Sequence, residues 1–249
     1  MSKLIALDDG HGITTSGKRT PSMPDGTIIH ENQFNAPTMG FCAVALQRCG
    51  ARTMFTAPED NDIPLSTRVR RANDAKADIF VSFHYNAYQG KWDQTAGGVQ
   101  TCYQPGSVKG QKLAGCIQKY LVQGTPQVNR GIVPLNLAVT RDTIMPAVLI
   151  EAGFMDVHKE AALMLDKAFQ KETGEQAAMG ICEFLGVQYV PESPPRNELA
   201  EAIDIWVRAG LINSPEYWLK NAVPGAEVKG EYIASLIIAG AKKLNEHLP

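Results

Sequence analysis

Short apolar runs that stop abruptly at polar residues mark the longer, N-terminal part of the chain. Leu4-Ile5-Ala6-Leu7 ends at Asp8-Asp9-Gly10-His11-Gly12. Asp78-Ile79-Phe80-Val81-Ser82-Phe83 ends at His84-Tyr85-Asn86, and Pro146-Ala147-Val148-Leu149-Ile150 ends at Glu151-Ala152-Gly153-Phe154. Runs of this length, bounded by glycine or polar residues, predict buried strands. Arg52–Thr56, Gly98–Tyr103 and a short segment around Leu137–Thr140 read as further strands. Helices are expected over about Asn35–Cys49, with Asn35 as N-cap, Pro37 in the first turn and Gly50 as its stop, and over Thr67–Ala75 behind Ser66. Two more run from Ser107 to about Gln123 and over about Asp166–Leu185, the latter with Gly186 just past its end. Ile13–Gln33 reads as a polar loop. The alternation predicts an α/β fold: a mostly parallel or mixed open sheet flanked by helices.

The pattern changes at Val190. Pro191, Pro194 and Pro195 make the segment up to Arg196 a stiff, extended linker. Beyond it, Asn197 caps an expected helix with the stripe Leu199, Ile203, Trp206, ending at Gly210. Ser214-Pro215-Glu216 is a helix start with proline in the first helical position. A last helix, about Glu231–Glu246, carries Ile233, Leu236, Ile237 and Leu244 on one side. The organisation expected is a domain over residues 1–188, a linker over 189–196 and a small all-α module over 197–249. A core of that size is marginal alone, so docking or self-association into a homo-oligomer is expected of the module.

Composition narrows the function classes. Among 249 residues, 44% are hydrophobic and 20% charged, as in ordinary globular chains, and a net charge of −2 gives no footprint for nucleic acid. No run approaches the roughly 18 apolar residues of a membrane span, so no membrane insertion is expected. Met1-Ser2-Lys3 passes straight into the first strand, which predicts synthesis in the cytoplasm without a signal peptide. Cys42, Cys49, Cys102, Cys116 and Cys182 are odd in number and form no CxxC pair, which argues against a disulfide framework and a thiolate zinc site.

The candidate chemistry lies at the strand ends, where open α/β sheets place their ligands. A catalytic zinc takes three N/O ligands from protein and keeps one position open. His11 and His84 offer imidazoles, and Glu31, on the loop after the first strand, is the best carboxylate to complete the set. Glu151 would then be free to act on water. One strand-end histidine is ordinarily structural; two, with a carboxylate that ends a buried strand and needs a charged partner or a shifted pKa, point to a site. His30 adjoins Glu31 and competes as a ligand, whereas His158 and His247 lie in polar helical surroundings.

Taken together, the motifs resemble those of the zinc-dependent N-acetylmuramoyl-L-alanine amidases of bacterial autolysins and phage endolysins. That family opens with a strand and D-P-G-H-G, here Asp8-Asp9-Gly10-His11-Gly12. A Glu, a short spacer and Asn follow, here Glu31 to Asn35. R-x-x-x-A-N, A-D and S-x-H-x-N-A correspond to Arg68 with Ala72-Asn73, Ala77-Asp78 and Ser82 to Ala87. P-A-v-L-v-E-x-G-F corresponds to Pro146–Phe154, with Arg141 at the place of an upstream arginine. The likeness covers about Leu4 to Leu185; it departs at Asp9, where proline is usual, and at Met155-Asp156-Val157.

The resemblance implies that His11, Glu31 and His84 hold Zn2+ and that Glu151 is catalytic. The reaction it implies is metal-assisted hydrolysis of the peptidoglycan amide joining N-acetylmuramic acid to L-alanine of the stem peptide. Asp8 either orients a ligand imidazole from behind by hydrogen bonding or is a structural carboxylate at the strand end. Arg141 pairs with a peptide carboxylate of the substrate or with Glu151, and Arg68 and Asn86 read as scaffold. A phage endolysin is the favoured context, with a sporulation mother-cell autolysin or a non-catalytic wall-binding module as alternatives. A zinc carboxypeptidase is not supported, because no His-x-x-Glu pair is present. Trp206, Tyr217 and Trp218 make the C-terminal module a candidate for wall targeting.

Overall fold

The computed structural model describes residues 2–93, 95–192, 198–222 and 227–245. The chain divides into two compact units, Met1–Pro191 and Glu192–Pro249. The first contains, in order, β1 (Leu4–Asp8), α1 (Asn32–Arg48), β2 (Arg52–Phe55), α2 (Leu65–Asp74), β3 (Ile79–Asn86) and β4 (Val99–Tyr103). It continues with α3 (Val108–Gly124), β5 (Asn129–Pro134), α4 (Ala138–Arg141), β6 (Ala147–Phe154), α5 (His158–Ala161) and α6 (Lys167–Leu185). The six strands form one sheet in the order β2-β1-β3-β6-β4-β5. β2, β1, β3 and β6 run parallel, β4 is antiparallel to β6, and β5 runs parallel to β4. The sheet is therefore mixed, open and flanked by helices, as the alternating pattern predicts.

Side-chain alternation divides the sheet into two unlike faces. Ile5, Leu7, Val81, Phe83, Val148 and Ile150 point to one face and pack with residues of α1, α3 and α6 in the larger core. Ala6, Phe80, Ala147 and Leu149 point to the other, where Val69 and Ala72 of α2 and Val139 of α4 cover them. In parallel register Asp8 faces Ser82 and His84 faces Glu151, so continuing the second face toward the strand ends brings these polar residues into one row. Asn73 of α2 holds the turn before β6, donating to the Asp142 carbonyl at 3.1 Å and accepting from the Ile144 N–H at 3.0 Å.

Some local expectations are corrected. α1 begins at Asn32, so Asn35 lies within its first turn and caps nothing; its amide is drawn to Glu31 and Gly10 instead. α2 begins at Leu65 behind Pro64, not behind Ser66. The segment around Leu137–Thr140 belongs to the short helix α4, and the strand beside it is Asn129–Pro134. Its Gly131 and terminal Pro134 hid it, and both are tolerated because β5 is an edge strand. His158 is not simply solvated: its ring stacks on Trp92 with centroids 3.7 Å apart.

The second unit holds α7 (Glu198–Arg208), α8 (Pro215–Asn221) and α9 (Gly230–Asn245). Ile203 and Ile212 are buried, and a cavity of about 500 Å³ is lined by Tyr217, Trp218, Tyr232, Asn213, Ser214 and Ser235 among others. Of the side expected to be apolar on α9, Leu236 is half-buried whereas Ile233 and Ile237 are exposed. Most of the linker, the Asn197 cap and His247 lie outside the described residues, as does the side chain of Leu244.

Two glycines of α6 set the helical layer. A Cβ on Gly174 would lie 2.7 Å from the Thr38 carbonyl of α1, and one on Gly180 would lie 2.4 Å from the Ile117 Cα of α3. Gly180→Ala gains helix propensity but forces backbones apart, and the overpacking should win, lowering stability by about 1–3 kcal/mol. Gly115→Ala, on α3 with open space around it, should instead raise stability by about 0.5–1 kcal/mol. Urea unfolding of both variants checks this; shifts of the same sign would contradict the packing described.

Candidate metal centre

The site begins with a buried charge cluster. Asp8 ends β1, and its carboxylate accepts from Arg68 at 2.9 Å, Thr56 at 2.6 Å, Ser82 at 2.5 Å and the Gly10 N–H at 3.4 Å. Burial alone would raise its pKa, but the Arg68 charge and these hydrogen bonds outweigh it and hold the pKa below the ordinary value. Asp9 takes a second Arg68 contact at 3.2 Å and one from Asn32 at 3.1 Å. Burial, together with the neighbouring Asp8 charge, still pushes its pKa up to about 6. Arg68 is fully buried, and its remaining donors reach the Ile63 carbonyl at 2.8 Å, the His11 carbonyl at 2.9 Å and Asp62 at 3.5 Å.

Those contacts hold a backbone that would not hold itself. Gly10 and His11 both have positive φ, 47° and 59°, a region costly for a residue with a side chain. Arg68 and Asn32 donate to the His11 carbonyl, and Asn32 and Asn35 to the Gly10 carbonyl. Position 10 must be glycine, since a Cβ there would lie 2.4 Å from the His84 ring. The turn thus sets the His11 ring perpendicular to that of His84, with centroids 4.9 Å apart.

Glu31 enters from the residue preceding α1. Its Oε1 lies 2.9 Å from His84 Nδ1 and accepts from the Tyr85 N–H at 3.1 Å and Asn35 at 3.3 Å; its Oε2 stands 3.4 Å from His11 Nε2. Burial would raise the Glu31 pKa, but the His84 and Tyr85 hydrogen bonds and the two imidazoles bring it down to about 2. Burial lowers His11 to about 4, with the nearby His84 adding to the effect and Glu31 opposing it. A neutral imidazole keeps a lone pair, and Nε2 of His11 is buried without a hydrogen bond among the described residues. One donor atom each from His11, Glu31 and His84 lies within 4.8 Å of the others. An uncommitted buried nitrogen, a second imidazole and an ionised carboxylate fit a divalent cation, and their N/O character suits zinc.

Glu151 faces His84 across the β3–β6 ladder, and its Oε2 is buried with no hydrogen-bond partner among the described residues. Burial pushes its pKa up to about 8; the Glu31 charge adds to this, while His84 and Lys18 oppose it. Two carboxyl groups in one cavity therefore differ widely in proton affinity.

Other expected residues fall elsewhere. Asp8 does not orient an imidazole: its bonds go to Arg68, Thr56, Ser82 and Gly10, so it acts on the turn rather than on a ring. Arg141 pairs with Asp142 and Asn136, not with Glu151. It lines a cavity with Gln104, Met145 and Pro146, at the N-terminal end of β6. That is roughly 16 Å from Glu151 at about 3.3 Å per strand residue, at the opposite end of the same strand from the site. His30 is not part of the cluster. Arg68, read as scaffold, proves to be the residue that holds the turn. Two adjacent acids ending a buried strand require a cation, and that requirement was the signal for it. Asn32 and Asn35 gave no comparable signal, since amides are common at helix starts.

Arg68→Met would leave three acidic partners without their cation and should cost about 3–5 kcal/mol. Arg68→Lys keeps the charge but loses the planar fork; it should fold, yet hold a divalent cation about tenfold more weakly because the His11 turn is released. Urea unfolding and competition with a chromophoric chelator measure the two effects. Wild-type values for both variants would remove Arg68 from this role.

Comparison with known proteins agrees with the site. Residues 5–183 match the Amidase_3 family, described as N-acetylmuramoyl-L-alanine amidase. The endolysin of Bacillus phage SPP1 is 34% identical over 194 residues, covering 76% of this chain and 68% of that protein. The N-acetylmuramoyl-L-alanine amidase LytC of Bacillus subtilis (strain 168) is 27% identical over 179 residues, 71% of this chain but 34% of that protein. Among solved structures, the N-acetylmuramoyl-L-alanine amidase from Clostridium difficile 630 superposes with a TM-score of 0.67 at 29% identity, covering 74% of this chain and 97% of that one. The catalytic domain of CwlV, from Bacillus (Paenibacillus) polymyxa var. colistinus, gives 0.66 at 31% identity, covering 75% and 99%. A turn built to present His11 beside Glu31 and His84, on a fold shared with these enzymes, identifies the chain as a member of the N-acetylmuramoyl-L-alanine amidase family, a peptidoglycan amidase.

Proposed function

We propose that the chain is a zinc-dependent amidase in which His11, Glu31 and His84 hold the ion and Glu151 carries protons. The observation that carries this reading is the pairing of a three-donor cluster with an unpartnered buried carboxyl oxygen on the adjacent strand. When bound, zinc supplies Lewis-acid polarisation of the amide carbonyl and a water of pKa about 7. Glu31, with its depressed pKa, stays ionised and serves as a ligand rather than a base. Burial raises the proton affinity of Glu151 above that of an ordinary carboxylate, and a bound dication would draw it back down, toward the range in which a group both accepts and returns a proton. As carboxylate it takes the proton of the attacking water; as acid it delivers that proton to the departing L-alanine amine. Digestion of purified wall should therefore free stem peptides with new L-alanine N-termini and leave glycan strands uncut, as read by mass spectrometry. Glu151→Gln should retain zinc while losing at least a hundredfold in rate, and His11→Ala should lose zinc. New reducing sugar ends, or a Gln variant of normal rate, would reject the assignment.

We further infer a role in host lysis, in which the C-terminal module retains the enzyme on the wall. Support for the first part is the similarity to the phage SPP1 endolysin. Support for the second is the module's cavity, where Tyr217, Trp218 and Tyr232 stand beside Asn213, Ser214 and Ser235. Aromatic faces with polar neighbours suit sugar rings. Made inside a sensitive cell, the chain should leave the cell intact until the membrane is permeabilised and then clear the culture. A chain ending at Val190 should sediment less with purified walls than the full chain. Clearance without permeabilisation would favour a self-exporting autolysin, and unchanged sedimentation would show that the module does not bind wall.

A further inference from the structure

Lys18 belongs to no motif and to no role assigned so far, yet it is fixed beside the reacting groups. Its carbonyl accepts from the Glu31 N–H at 2.9 Å, and the pairing continues through the Arg19–His30 bridge and the Thr20 N–H to Ile29 carbonyl bond at 2.9 Å. The loop after β1 is thereby stitched to the segment carrying a zinc ligand, and Lys18 stands directly across from Glu31. Its side chain is exposed and lines, with Glu31, His84, Asn86 and Glu151, a cavity of about 130 Å³. It is the one lysine or arginine in that lining. Among the described residues its ammonium has no hydrogen bond or ion pair, although its charge is felt at both Glu151 and His11.

We propose that Lys18 is a specificity residue that pairs with a free carboxylate on the peptide side of the scissile amide. The inference rests on the amidase reading above. In the substrate's scissile bond the lactyl carboxyl is consumed in the amide, so carboxylates near the cut belong to the peptide. Such a group meets a cavity mouth where Lys18 is the one lysine or arginine of the lining and its ammonium is unpaired among the described residues. Opposite charges at close range favour binding, so Lys18 supplies the cation that a carboxylate there would pair with. It does not serve the developing oxyanion, which requires donors fixed in a water-excluded site; an exposed ammonium on a long stem suits ground-state pairing at the mouth of the cavity.

The test uses the zinc-loaded full chain and two N-acetylmuramoyl-L-alanyl dipeptides, identical except that the second residue carries a free carboxylate or the corresponding carboxamide. Lys18→Met should lower the ratio of kcat/KM for acid over amide about fivefold, the size of a partly exposed ion pair. The change should appear in KM, and Lys18→Arg should restore the ratio. An unaltered ratio, or an equal fall in kcat on both substrates, would overturn the proposal. Wild-type enzyme that cut neither dipeptide, nor wall, would fail the amidase reading itself and take this inference with it.

Discussion

A single guanidinium underlies the geometry of the site. Arg68 is fully buried and spends its donors on Asp8, Asp9, Asp62 and the carbonyls of Ile63 and His11. A buried arginine is tolerable only when its donors are satisfied, and buried carboxylates only when a cation or hydrogen bonds answer them. Here each condition meets the other. The contact to the His11 carbonyl transmits that charge balance to the backbone. It holds His11 at a positive φ that an isolated chain would leave. Because the ring direction follows the backbone, the position of one metal-ligand candidate is decided on α2, in the layer beneath the sheet.

The same economy of charge separates the two carboxyl groups of the cavity. Glu31 receives hydrogen bonds from a backbone N–H and an amide and faces two imidazoles, whereas Glu151 has an oxygen with no partner. Their proton affinities differ because their surroundings do, which is how one cavity offers both an ionised carboxylate and a carboxyl that readily holds a proton. The sheet register makes the contrast available, since His84 and Glu151 are directly opposed on neighbouring strands.

What the chain disclosed in advance was whatever local pattern controls. Apolar runs ending at His11, His84 and Glu151 announced the strands and the edge where they converge, and Gly186 announced the end of α6. Less legible were features whose cause lies elsewhere in space. β5 was hidden because its edge position tolerates Gly131 and Pro134, and nothing local says which strand will be an edge. That Arg141 does not reach Glu151 was hidden because their nearness in sequence conceals the length of strand between them. Asn35 carried a helix-start signal that three preceding residues overrode when Glu31 turned inward to the imidazoles.

The order of strands carries a further consequence for how the sheet is completed. β6 is the last strand in the chain, yet it lies between β3 and β4 and is the piece that joins the β2-β1-β3 half of the sheet to the β4-β5 half. Pairings so distant along the chain form late, because the loop entropy they cost must be met before they stabilise anything. A chain that stops short of β6 would have neither a continuous sheet nor Glu151, so the two halves of the sheet become one only when the last of its described strands is laid between them.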